Sequence, residues 1–270
     1  AMVFGAITLG NNVTIDTNAS STTGDLTLGV VTGGSNTLTL STGNNVANSD
    51  ITASGNISGV TTLTLADVGG TATLSGDVDV TTFTVGNTVA NVAFTGNGSS
   101  VANAVSFAND GTLTLGTSGG TQTFNGGLTT TSGTVILNGT IQSSDDNMIF
   151  GAVTLGSTTV IDTNATSTNT GDIAIDSITG GSNALTLSTE NNVTQTDIEI
   201  AGAVTGITTL TLANIGDLIT FSGNVEATAL SINNTVKSVT LGGNATITDS
   251  FAPTNDGTLH LAGASTTKTF

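Results

Sequence analysis

The sequence predicts an all-β protein, a parallel β-solenoid of about 13 coils with no helix of consequence, on a repeat of roughly 20 residues per coil. Three observations predict it. Short apolar/polar alternations recur along the whole chain, separated by clusters of Gly, Asn, Asp and Ser. A long segment of sequence occurs twice at nearly constant offset. And the 270 residues include 36 Gly but one Pro, no Cys, no Trp and no Tyr, which suits a narrow interior of Val, Ile, Leu and Ala rather than a wide aromatic core.

The strands come first. Alternating runs fall at residues 6–9, 26–28, 38–40, 63–65, 72–74, 83–85, 92–94, 105–107, 113–115 and 135–137. Period-2 alternation buries one face of a strand. The separators, such as Gly33-Gly34-Ser35-Asn36, Gly96-Asn97-Gly98 and Gly119-Gly120, are residues that accept the positive φ of tight turns. The best helical stretch, residues 99–108, carries too many Ser and β-branched residues to compete. Immunoglobulin-like modules would normally show a core Trp or Tyr.

The repeat comes next. Met2-Val3-Phe4-Gly5-Ala6-Ile7-Thr8-Leu9-Gly10 returns as Met148-Ile149-Phe150-Gly151-Ala152-Val153-Thr154-Leu155-Gly156. Gly33-Gly34-Ser35-Asn36 returns as Gly180-Gly181-Ser182-Asn183, and Asn109-Asp110-Gly111-Thr112-Leu113 as Asn255-Asp256-Gly257-Thr258-Leu259. One inserted residue and one later deletion move the offset from 146 to 147 and back. Spacing this constant implies a fixed number of stacked layers per copy. The expected organisation is a first copy over residues 1–146 and a second, truncated copy over 147–270, a window onto a polypeptide with more copies.

Composition excludes several functions. Nineteen acids against two bases, Lys237 and Lys268, give a formal net charge of −17. Nucleic-acid binding by phosphate neutralisation needs clustered Lys and Arg, and anionic membranes repel such a chain. With no Cys there is no disulfide, thiolate chemistry or Cys-ligated metal. No apolar run is long enough for a membrane helix. Regular alternation argues against disorder. An acidic, Cys-free chain rich in Thr, Asn, Gly and Ser suits an extracellular bacterial protein.

The candidate sites are few. His260 lies in Thr258-Leu259-His260-Leu261, where alternation turns Leu259 and Leu261 inward and His260 outward, and its counterpart is Thr114. Asp77, Asp79, Asp145, Asp146, Asp172, Asp176, Asp110 and Asp256 are the possible Ca²⁺ ligands. Ca²⁺ wants six to eight oxygens, and neither an EF-hand nor a Gly-Gly-x-Gly-x-Asp array occurs, so these read as solvated turn acids. Gly116-Thr117-Ser118-Gly119-Gly120 lacks the Lys and helix of a phosphate loop. Thr-x-Thr pairs, among them Thr37/Thr39, Thr62/Thr64 and Thr209/Thr211, could form an ice-binding ladder only at constant spacing on one face. Their intervals vary, so Thr reads as the preferred outward β-residue. The nine Phe belong to the core. No catalytic, cofactor-binding or metal-ligating residue is assigned, and the chain is not expected to be an enzyme.

Gly33-Gly34-Ser35-Asn36-Thr37-Leu38-Thr39-Leu40 and the run from Asn138-Gly139-Thr140-Ile141 to Gly151-Ala152-Val153-Thr154-Leu155 resemble the passenger regions of bacterial β-strand-repeat surface proteins, the filamentous-haemagglutinin-like and autotransporter-type adhesins. The resemblance is one of style along the whole chain and carries over no functional residue. It implies a structural or adhesive segment of a large repetitive extracellular protein, forming a fibre, stalk or sheath. Its partners would be neighbouring repeats, copies of itself end to end, or a surface glycan. The alternative is a ligand-binding solenoid taking glycan, Ca²⁺ or ice.

Overall fold

A computed structural model describes all residues except 44–45, 131–132, 165–170, 191–194 and 264–265. The chain coils as a parallel β-solenoid of about 12 turns. No described residue is helical, so no helix is long and apolar enough to cross a membrane. By contact density the chain divides into two compact units, Ala1–Val135 and Ile136–Phe270.

In the first unit each turn places strands on three faces. The first face stacks Met2–Phe4, Leu26–Leu28, Ile51–Ala53, Thr71–Leu74, Asn91–Phe94 and Leu113–Leu115, every pair parallel. The second runs from Ile7–Thr8 through Val31–Thr32 to the first half of Ile57–Leu65 and of Val78–Val85. The third runs from Val13–Asp16 through Thr37–Ser41 to the second halves of the same two strands. Along the first face the register steps 24, 25, 21, 20 and 21 residues, through Met2, Leu26, Ile51, Ala72, Val92 and Leu113.

The second unit repeats this plan. Met148, Ile173, Ile198, Ile219, Val239 and Leu259 stack with steps of 25, 25, 21, 20 and 20. Both units therefore hold two long turns followed by shorter ones. The extra residues lie at the third corner, between 16 and 26, 41 and 51, 162 and 173, and 188 and 198. The inserted residue of the second copy falls in one of these corners, between Asn164 and Asp172. The deletion falls in the first corner, where five residues lie between Leu241 and Ile247 and six between Phe94 and Val101. Corners absorb length changes; a slip within a strand would turn its buried side chains to solvent.

Within each unit the inward side chains form a column of apolar residues. Leu26, Leu28, Leu38, Leu40, Ile51, Leu63, Leu65, Leu210 and Leu212 are all 0% exposed, and each such burial is worth about 1.5–3 kcal/mol. Four of the nine Phe cluster in the first unit. Phe83, Phe94, Phe124 and Phe107 form a closed ring of contacts with centroids 5.3–5.9 Å apart. In the second copy Leu230 and Leu241 take the places of Phe83 and Phe94. The core reading holds for the four clustered Phe and for Phe150 and Phe221, which are also buried, whereas Phe4 is 38% and Phe270 50% exposed, and Phe270 stacks on half-buried Phe251 at 4.2 Å.

Two expectations change. The strips read as separate short strands fuse in places: Met148–Asp162 and Ile173–Ser188 run as strands of 15 and 16 residues, because ladder pairing resumes on both sides of the corner after a register shift. And the Thr-x-Thr pairs are less scattered than their intervals suggest. Thr37/Thr39, Thr62/Thr64 and Thr82/Thr84 stack in register on the third face of the first unit. The variation in interval is taken up by the corners. The second copy breaks the array, with Ala229 opposite Thr209.

Candidate functional site

The side chains with chemical potential prove to be components of the ladder. Asp25 Oδ1 accepts the backbone N–H of Asp50 at 3.2 Å, and Asp50 Oδ1 accepts that of Thr71 at 2.7 Å. Asn147, Asp172 and Asp197 do the same for Asp172, Asp197 and Leu218, at 2.8, 2.9 and 3.0 Å. Asn56 serves Asp77, and Asp77 in turn accepts from Asn97 and Gly98, both at 2.7 Å. Asn224 serves Asn244, and Asn244 serves Thr267. A corner interrupts the backbone ladder and would leave an N–H unpaired; an Asn or Asp one turn below satisfies it.

These ladders decide what two of the Ca²⁺ candidates do. Asp77 and Asp172 are ladder acceptors. Asp79, Asp110, Asp146, Asp176 and Asp256 are exposed. Asp145 takes a positive φ of 68° and donates its N–H to Thr163 O. Among the described residues, no three His, Asp or Glu side chains are grouped to hold a metal. His260 faces solvent opposite Thr240. Leu259 beside it is half-buried, but Leu261, expected inward, is 52% exposed on a strand paired with 238–241. Both lysines meet oxygen: Lys237 lies 3.9 Å from Asp217, and Lys268 Nζ donates to Gly243 O and Thr266 Oγ1, both at 2.6 Å.

Burial holds the Asp197 carboxyl above its ordinary value; the Leu218 N–H acts against this, and Asp217 and Asp172 add to the rise. Burial, then Asp162, raises Glu190 in the same way. A second set of polar groups is deeper. Thr42 Oγ1 donates to Ser49 O at 3.0 Å, closing the long third corner, and Thr163 Oγ1 donates to Gly171 O at 2.7 Å. Thr189 and Thr196, the counterparts of Thr42 and Ser49, join hydroxyl to hydroxyl at 2.9 Å. Thr42, Ser49, Thr163, Thr189 and Thr196 are 0% exposed.

Sequence reading missed both sets. The ladder had a signal: Asn or Asp immediately precedes the first inward residue of a strand, as in Asp25-Leu26, Asp50-Ile51, Asn147-Met148, Asp172-Ile173 and Asp197-Ile198. Comparison with family models, curated proteins and solved structures returns no match.

Proposed function

We propose that the chain is a structural or adhesive segment of a large repetitive extracellular bacterial surface protein, a fibre, stalk or sheath whose length comes from copy number. What carries this reading is the shared plan of the two copies: the same order of long and short turns, buried hydroxyls at equivalent corner positions, and Asn and Asp ladders in both. Such a plan devotes its polar groups to holding each turn on the next, a quasi-one-dimensional stack. The reading includes no enzymatic activity and no cofactor. Its partners are further repeats or copies end to end. A coil with no neighbour on one side would present open strand edges. Strand edges of this kind add strands, and head-to-tail contact gives filaments rather than rings.

Electron microscopy and sedimentation across a concentration series test this. Fibres or end-to-end oligomers are expected to grow with concentration; monodisperse monomers at every concentration overturn self-pairing.

The stacked pairs Thr37/Thr39, Thr62/Thr64 and Thr82/Thr84 favour one other reading, ordering of ice-like water. Their hydroxyls repeat at about 4.8 Å between strands and about 6.6 Å along them. Thermal hysteresis that disappears in Thr62→Val/Thr64→Val supports it; freezing with no hysteresis removes it.

A further inference from the structure

Each copy builds the same groove at the corner between its second and third faces. In the first unit Ser35, Thr61, Asp79, Thr81 and Ser100 line it over a floor of Val60 and Val80, with a volume of about 300 Å³. In the second unit Ser182, Thr208, Glu226, Thr228 and Thr246 line it over Ile207 and Ala227, about 260 Å³. Position by position these are counterparts in the repeat: Ser35, Thr61, Thr81 and Ser100 each keep a hydroxyl and the one acid keeps an acid, while Ala102 of the first groove becomes Thr248 in the second.

The rim is fixed by the Gly-Gly-Ser-Asn motif common to both copies. Asn36 Nδ2 donates to Leu9 O at 3.1 Å and Gly33 O at 3.0 Å, and Asn183 Nδ2 to Leu155 O at 2.9 Å and Gly180 O at 3.1 Å. The serine of each motif has a positive φ, 65° at Ser35 and 63° at Ser182. Gly33 packs so tightly that a Cβ there would lie 2.4 Å from Gly59 O; at Gly180 the same distance to Gly206 O would be 2.5 Å. Gly59 and Gly206 both turn at φ 66° where the strand above breaks register. Asp79 and Glu226 are exposed and, unlike the ladder acids, hold no backbone N–H among the described residues.

We propose that these paired grooves are binding sites for an uncharged sugar residue. Hydroxyl groups that both donate and accept, beside one carboxylate acceptor, match the hydroxyls of a sugar ring. No cationic side chain lines either groove, and the carboxylate repels anions. A bare Ca²⁺ would want six to eight oxygens, against one carboxylate per groove. The volumes sit at or just under the small end of the range for small-molecule sites, room for one ring. A single shallow groove without an aromatic platform binds weakly, in the millimolar range, and two per chain multiplied along a repetitive polymer give avidity. The inference adds a ligand to the structural role proposed above and stands whether or not fibres form.

Saturation-transfer NMR on the full chain tests it, because the signal is read on the sugar and works for monomers and fibres alike. The probes are the methyl glycosides of glucose, galactose, mannose and N-acetylglucosamine. At least one is expected to give saturable transfer. Asp79→Asn and Glu226→Gln should each remove about half of it, and the double variant should weaken binding by about tenfold or more. Asp110→Asn, in an exposed turn outside the grooves, should leave it unchanged. No transfer to any of the four sugars, transfer that survives the double variant, or transfer lost equally in Asp110→Asn would overturn the assignment, as would a groove that responds to CaCl₂ and to no sugar.

Discussion

At the scale of single residues, polar side chains in this solenoid are fasteners, and their removal has calculable consequences. Thr42 is fully buried, and its hydroxyl is bonded to Ser49 O across the long corner. Thr42→Val keeps the volume and leaves Ser49 O with the Gly70 N–H alone, so one net hydrogen bond is lost, at a cost of about 0.5–1.5 kcal/mol. Thermal or denaturant unfolding should register the loss; an unchanged midpoint means the corner contributes nothing to stability. Asp197 behaves oppositely. Its carboxyl is raised by burial and by Asp217 and Asp172, so at neutral pH its charge opposes folding. Stability from this group is present in acid and is lost as pH rises through its raised value. Asp197→Asn keeps the oxygen that accepts the Leu218 N–H and drops the charge; Asn147, a pair of turns below, already fills that role with a neutral amide. The variant should be more stable by about 0.5 kcal/mol at pH 7 after solvent screening, and the gain should shrink toward pH 4. A loss at pH 7 would show that the charged acceptor matters more than the repulsion.

At the scale of elements, alternation read from the sequence located the strands because it reports a local property, which side of the strip each residue occupies. Corners depend on what lies one turn away, 20 to 25 residues distant in sequence along the first face, and so were only partly legible. Asp25 and Asp50 look like turn acids until stacking brings the N–H of the next turn to each carboxylate. The sugar-sized grooves were illegible for the same reason: Ser35, Gly59, Asp79 and Ser100 share a wall only after the coil has passed four times. The Phe cluster was partly legible, since a column of apolar residues stacks like on like, but nothing local said that Phe83, Phe94, Phe107 and Phe124 would close a ring. Phe107 is 0% exposed and meets Phe83 at 5.9 Å and Phe124 at 5.7 Å, both edge-on. Phe107→Ala should cost about 3–5 kcal/mol, because a narrow coil held by ladders on three faces collapses little into the void. Phe107→Leu, the kind of replacement the second copy makes at Phe83 and Phe94, should cost far less. Equal losses in the two variants would mean the ring is not packed as a unit.

At the scale of the molecule, the charge is unusual in kind as well as size. Part of the formal −17 lies on carboxylates that the ladders stack one turn apart, Asp25 with Asp50 and Asp172 with Asp197. Among the described residues the one ion pair is Lys237 with Asp217 at 3.9 Å, half-exposed on both sides. Neighbouring turns sit about 4.8 Å apart, well inside the Debye length of about 30 Å at 0.01 M salt but beyond the roughly 3 Å reached at 1 M. Self-repulsion is therefore a standing cost of the fold that salt removes, while hydrophobic burial and the backbone ladder are indifferent to screening. Melting temperature should rise steadily between about 0.01 and 1 M NaCl, by about 2–4 °C for each kcal/mol relieved in a chain of this size. Asp197→Asn should flatten some of that rise, since it removes one charge from a stacked pair. The same screening should favour end-to-end growth, because two such chains meet as polyanions. A melting temperature that does not move with salt would mean the N–H groups held by each carboxylate already neutralise the stack.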